Sequence, residues 1–139
     1  MDSIVIFEIL KLNGISPDKF SSVAKVEKDW RIHSLRLRGL GIDTLPNIIG
    51  ELGALDELDL ANNKLRSLPD SIVRLKIIYE AVRCSGPCGS SNCCSTYLEN
   101  GLVIKGNALC NVSPSISGWI DSQFKKKDYL QADTTQRCF

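Results

Sequence analysis

The sequence predicts an α/β fold in which short parallel strands stack into a curved solenoid. Leucine and isoleucine recur at a constant interval of 23 residues between positions 32 and 75. Within LDELDLANN, at 55–63, apolar and polar residues alternate, as in a strand with one buried face. Because one such unit could not bury its own apolar side chains, stacking of successive units is expected to form the core.

Length and composition are those of one ordinary globular domain. The 139 residues are 43% hydrophobic, which is enough apolar material for a core. The 17 basic and 16 acidic side chains nearly cancel, so nucleic acid and anionic membranes are not expected partners. The apolar run in MDSIVIFEILKLNG is broken by Glu8 and follows no basic residue, unlike a signal peptide or a membrane span.

Two consecutive units repeat almost position for position, at 31–75. The matched pairs are Ile32 with Leu55, Leu35 with Leu58, Leu37 with Leu60, Ile42 with Leu65, Leu45 with Leu68, Pro46 with Pro69, Ile49 with Ile72 and Leu52 with Leu75. The second unit fits LxxLxLxxNxLxxLPxxIxxL, and here the chain resembles the leucine-rich repeat family. The resemblance implies a short solenoid with parallel strands on its concave face, and a binding module without catalytic residues.

Asn63 is expected at the turn that leaves the second strand. Its amide can bond backbone groups that would otherwise be buried without partners. The first unit has Leu40 at the corresponding position, so its turn needs other hydrogen-bond partners.

A last unit follows at 102–120, with Leu102, Ile104 and Asn107 in repeat positions. Its offset is not 23, because Leu60 and Ile104 are 44 residues apart. A degenerate, cysteine-rich unit at 76–101 is therefore predicted between them.

Both ends of the predicted solenoid are expected to carry caps within a single domain, 1–139. The N-terminal cap, 1–30, begins with a helix from Asp2, which can cap it, to Asn13, before Gly14. The C-terminal cap is 121–139. NxLCxxSxxIxxW followed by QxC is similar to the C-terminal caps of bacterial, exported leucine-rich repeat proteins. The resemblance implies a Cys110–Cys138 disulfide over the last unit.

Four further cysteines crowd CSGPCGSSNCC, at 84–94: Cys84, Cys88, Cys93 and Cys94. The Gly- and Ser-rich segment cannot form a core, so we expect disulfides to order it, with the pairing among the four left open. Zinc held by four thiolates is the metal-binding alternative. Disulfides indicate an extracellular, cell-surface or periplasmic protein, whereas reduced thiols would indicate the cytoplasm.

Catalytic chemistry is not predicted. The lone His33 lies at the edge of a strand and is interpreted as a surface residue. Glu57 and Asp59 share a strand face, but Asp59 should lie beside Arg36 of the preceding unit and form an ion pair. Trp30 and Trp119 flank the repeats and are expected to cover edges of the core.

The predicted function is noncatalytic recognition of a protein or peptide by a secreted monomer without cofactors or bound metal. The expected contact residues are the outward strand positions: Ser34, Arg36, Arg38, Glu57, Asp59, Ala61, Val103 and Lys105. Two other classes stay open, namely a zinc-binding module through the Cys84–Cys94 cluster and a structural portion of a larger surface protein.

Overall fold

The computed structural model describes residues 1–84, 94–109 and 112–123, and for 78–84, 94–100, 121 and 123 it describes the backbone alone. All six cysteine side chains lie outside this part of the chain. The predicted Cys110–Cys138 bond, the pairing within the Cys84–Cys94 cluster and most of the predicted cap at 121–139 therefore lie outside the described residues.

The chain begins with helix α1, Asp2–Leu12, which buries one apolar face. Gly14 follows at φ +65°, and the N–H of Ile15 donates to the Leu10 carbonyl at 2.8 Å, a helix ending that needs a left-handed residue. The sequence predicts that Asp2 caps the helix, but its side chain makes no capping hydrogen bond. Its carboxylate instead accepts hydrogen bonds from the side chain of Arg31 and the backbone of Ile32.

A short 3₁₀ turn, Pro17–Lys19, and helix α2, Phe20–Val23, lead into the main sheet. Its strands are β1 (Ala24–Val26), β2 (Ile32–Arg36), β3 (Glu57–Asp59) and β6 (Leu102–Val103), in the spatial order β1-β2-β3-β6. In the register, Leu35 lies opposite Leu58, and Leu58 lies opposite Leu102. The leucines of three strands therefore meet on one face and enter the core.

The predicted leucine-rich repeat solenoid is wrong for this chain. The sheet is mixed, because β1 runs antiparallel to β2 and only β2, β3 and β6 are parallel. The connection at 27–31 is long enough to reverse the chain, whereas a parallel neighbour needs a crossover of about a dozen residues or more. The architecture is a small mixed α/β fold.

The segment between β3 and β6 forms a separate antiparallel pair, β4 (Ile78–Cys84) and β5 (Cys94–Asn100). It contributes no strand between β3 and β6, which pair directly. The N–H of Gly101 donates to the Ile77 carbonyl at 3.0 Å and closes the base of this excursion. The β4–β5 pair is thus joined to the main sheet at residues 77 and 101 and forms a second sheet.

One core extends from α1 to helix α3, Pro114–Gln123. Two 3₁₀ helices, Asn47–Glu51 and Asp70–Arg74, return the chain after β2 and β3 and pack on each other. Trp119 covers the core at the α3 end, where its indole N–H donates to a backbone carbonyl. Trp30, expected to do the same, is 87% exposed. No helix in the described residues has the length and apolar character needed to cross a membrane.

Candidate functional site

The strand face is the solvent side of β2, β3 and β6 together with the residues that directly follow β2 and β6. Its side chains are those of Arg36, Arg38, Glu57, Asp59, Val103 and Lys105. They alternate with buried leucines and with the buried Ile104, so the strand pleat directs one set into the core and the other into solvent. Six of the eight predicted contact residues are therefore brought together on one surface.

The other two predicted contact residues are buried. Ala61 is completely buried, and Ser34 is only 8% exposed, with its hydroxyl donating to Glu57. The chain leaves the pleated alternation after β3, because Ala61 begins a turn. The sequence prediction continues the strand alternation past Asp59 and for that reason places Ala61 on the outward face.

Two ion pairs cross the strand face from β2 and its extension to β3. Arg36 Nε lies 2.8 Å from Glu57 Oε1, and Arg38 Nε lies 2.8 Å from Asp59 Oδ2. Arg36 and Asp59 lie opposite each other in the backbone register, as predicted. The ion pairs are shifted by two residues, however, because Arg36 pairs with Glu57 and Arg38 pairs with Asp59. The hydrogen bond with Glu57 also raises the pKa of Arg36. The charges of these four residues cancel within the face.

Asn63 fixes the turn that follows β3. Its Nδ2 donates to the carbonyls of Leu37 and Leu60, at 2.8 and 2.9 Å, and its Oδ1 accepts from the N–H groups of Leu40 and Ile42, both at 3.0 Å. The predicted role of Asn63 is confirmed. The turn at Leu40, which has no asparagine of its own, is satisfied by the asparagine of the next unit.

Asn107 has the same role one strand further on. Its Nδ2 donates to the carbonyls of Leu60 and Ile104, and its Oδ1 accepts from the N–H of Leu65. Both asparagines are buried, at 8% and 2% exposure, so the turns at this edge of the sheet are rigidly tied together.

A basic cleft of about 590 Å³ lies at this edge, beside the strand face. It is lined by Asn62, Asn63, Lys64, Arg66, Gly106, Asn107 and Ala108. The backbone N–H of Asn62 donates to the Lys105 carbonyl at 2.8 Å, so the cleft adjoins the strand face directly. The repeat interpretation missed this cleft, although the two basic residues just after Asn63 were a visible signal.

A second groove, of about 680 Å³, lies at the opposite side, near β1. Trp30 projects there from a backbone at φ +61°, a conformation rarely adopted by a bulky residue. Phe20 and Val26 add apolar surface, and the ion pair of Arg31 with Asp2, at 2.8 Å, adds polar atoms. This groove combines aromatic and charged groups but lies away from the strand face.

His33, in β2, links the connection between β1 and β2 to the residue just before β3. Its Nδ1 lies 2.9 Å from Asp56 and its Nε2 lies 2.9 Å from Asp29. Only the doubly protonated ring can donate to both carboxylates. These hydrogen bonds raise the pKa of His33, and the bond with Asp56 has the larger effect. The bond with His33 in turn lowers the pKa of Asp29. A ring held in this way supports the loops and lacks the free nitrogen of a general base.

Among the described residues, no three His, Cys, Asp or Glu side chains are grouped so that they could hold a metal ion. The predicted alternative, zinc bound by Cys84, Cys88, Cys93 and Cys94, concerns side chains outside that part and stays a prediction.

Comparison with known proteins gives a partial match. The chain is 43% identical over 47 residues to Plant intracellular Ras-group-related LRR protein 1 of Oryza sativa subsp. japonica. The likeness is local. It spans 34% of this chain and 13% of the plant protein. No protein-family model and no solved structure matches the chain.

The partial match agrees with the leucine-rich repeat character of the sequence. It is a likeness to one stretch of a leucine-rich repeat protein. It gives no support to the predicted bacterial and exported origin.

Proposed function

We propose that this protein is a noncatalytic module that binds a protein or peptide through the strand face. The observation that carries the proposal is the row of six outward side chains on the parallel strands β2, β3 and β6 and on the residues that follow β2 and β6. The partial likeness to a leucine-rich repeat protein supports the same class of function.

The strand face suits recognition because the core holds its backbone and most of its exposed side chains are charged. Leu35, Leu58 and Leu102 are fully buried directly beneath it, so its backbone is held by the core. Arginine side chains in ordered ion pairs present fixed donors, which lowers the entropic cost of binding. Exposed ion pairs contribute little to folding, about 0 to 1 kcal/mol, so recognition is a better account of this dense charge pattern.

The same contacts argue against catalysis at this surface. Glu57 and Asp59 each face an arginine and not one another, so they lack the shared site that a pair of catalytic carboxylates requires. Outside the strand face, His33 is held by two carboxylates.

The test is selection of binding peptides from a display library on the immobilised protein, followed by affinity measurement with variants. Replacing Arg38 and Glu57 together by alanine should weaken the selected peptides about tenfold, which corresponds to loss of one or two charge-assisted contacts. The matched control is Asp18→Ala with Lys19→Ala, which removes the same charges from an exposed turn. Circular dichroism melting verifies that both variants fold.

Undiminished binding by the Arg38/Glu57 variant would place recognition on another surface. Equal weakening by both variants would show that the peptides respond to general charge and not to the strand face.

A further inference from the structure

We propose that the basic cleft beside the strand face binds an acidic peptide segment, through glutamate or aspartate side chains that contact Lys64, Arg66 and Lys105. This inference rests on the proposed function, since it assigns the chemistry of the partner where it continues past the carboxyl ends of β3 and β6.

The balance of charge favours an acidic ligand. Arg36 and Arg38 are compensated by carboxylates on β3. Within the described part of the chain, Lys64, Arg66 and Lys105 are exposed and form no ion pair. Three uncompensated cations at one end of a neutralised surface leave a local positive potential, although the whole chain carries only +1.

One carboxylate belongs to the loop next to the cleft and could reduce this potential. The N–H of Lys64 donates to the Ile42 carbonyl at 2.8 Å, which places Asp43 beside the basic residues. Asp43 accepts a hydrogen bond from the Thr44 hydroxyl at 2.9 Å and forms no ion pair with the described residues. Summed over the described side chains near the cleft, the charge therefore remains positive.

The floor of the cleft is preorganised. Asn62 and Gly106 have left-handed backbones, at φ +56° and +74°, and a β-carbon at Gly106 would collide with the Asn62 Oδ1. Beneath them, the buried amides of Asn63 and Asn107 hold both turns in place. Flexible cations over a rigid polar floor can bind an extended chain without reorganisation of the backbone.

A peptide fits the cleft better than a nucleic acid does. Among the described residues that line the cleft none is aromatic, so these residues offer bases no stacking surface. The cleft also continues into the strand face through the Asn62–Lys105 hydrogen bond, which suits an extended chain crossing from one to the other.

The direct test is fluorescence anisotropy with a labelled decaglutamate peptide and the full chain. Lys64→Gln with Arg66→Gln should weaken binding about tenfold, because two cationic contacts are lost. The matched control is Arg74→Gln with Lys76→Gln, which lowers the net charge equally at exposed positions outside the cleft. It should change affinity less than about twofold, because these exposed charges do not line the cleft and are screened by salt.

The inference is overturned if decaglutamate does not bind the unmodified protein, if both double variants weaken it equally, or if an oligothymidylate of equal charge binds more tightly. The display-selected peptides separate this result from the proposed function. If they lose affinity with Arg38→Ala/Glu57→Ala but not with the Lys64/Arg66 variant, the strand face binds partners and the acidic assignment is wrong.

Discussion

At the scale of single residues, buried asparagines replace the hydrogen bonds that a regular sheet would supply. Asn63 was recognisable from the sequence because an amide after an alternating strand can satisfy both donors and acceptors of a turn. Asn13 was not recognised. Its Oδ1 accepts from the Asp43 N–H at 3.0 Å and its Nδ2 donates to the Thr44 carbonyl at 2.8 Å, tying the end of α1 to the loop after β2. Such a long-range contact has no local sequence signal.

Replacing Asn63 by alanine should lower the free energy of unfolding by about 2 to 4 kcal/mol, because several buried backbone groups lose their partners. Asn63→Asp provides a matched shape, but it removes the Nδ2 donors and places a carboxylate against the carbonyls of Leu37 and Leu60. It should also be strongly destabilising in urea titrations at pH 7. Wild-type stability of Asn63→Asp would show that the donors contribute nothing.

His33 gives a pH dependence of known sign. Its pKa is raised in the folded protein, by Asp56 and then Asp29, above the unfolded value of about 6.5. The contribution of the ring to stability is therefore complete below about pH 6.5 and is lost as the pH rises through the folded pKa. We expect His33→Gln to cost more stability at pH 5.5 than at pH 8.5, measured by urea unfolding. An equal cost at both values would contradict the charged bridge.

At the scale of elements, the sequence predicts β2 and β3 well, since their leucines alternate and repeat at a fixed interval. It does not predict that β1 is antiparallel, because the strand is only three residues long and its direction is set by a short connection. The β4–β5 pair was also missed as a separate sheet. Its strands carry no regular leucines, and their pairing depends on how residues 77 and 101 meet in space.

Substitution of Gly101, whose N–H donates to the Ile77 carbonyl, is expected to destabilise the protein. A β-carbon there would collide with the Asp56 carbonyl oxygen and the backbone of Glu57, where β6 joins β3. Gly101→Ala should therefore destabilise the fold by about 1 to 3 kcal/mol, the usual cost of overpacking. The measurement is thermal or urea unfolding.

Gly118 is the matched control for Gly101. It lies within α3, and an added β-carbon would meet no atom within 4 Å. Gly118→Ala should be neutral or stabilise the protein by about 0.5 to 1 kcal/mol, since alanine favours a helix. If the two substitutions had the same effect, the close approach of β6 to β3 would be incorrect.

At the scale of the whole molecule, one buried cluster links α1 to α3. Ile9 of α1 and Trp119 of α3 belong to the same core, which passes beneath the mixed sheet. In a solenoid each unit contacts only its neighbours, so stability is approximately a sum of local contributions. A single core in a small α/β fold instead favours one cooperative unfolding transition.

The two tryptophans allow this cooperativity to be measured. Trp30 is exposed and Trp119 is buried, so in a Trp30→Phe background the fluorescence reports on the α3 end alone. Ile9→Ala, at the α1 end, should cost about 2 to 5 kcal/mol as a deletion from a packed core. In one cooperative unit, this loss shifts the urea midpoint of Trp119 fluorescence as far as that of far-ultraviolet circular dichroism. A Trp119 midpoint that did not move would mean that the two ends unfold independently, and that the core is not energetically continuous beneath the sheet.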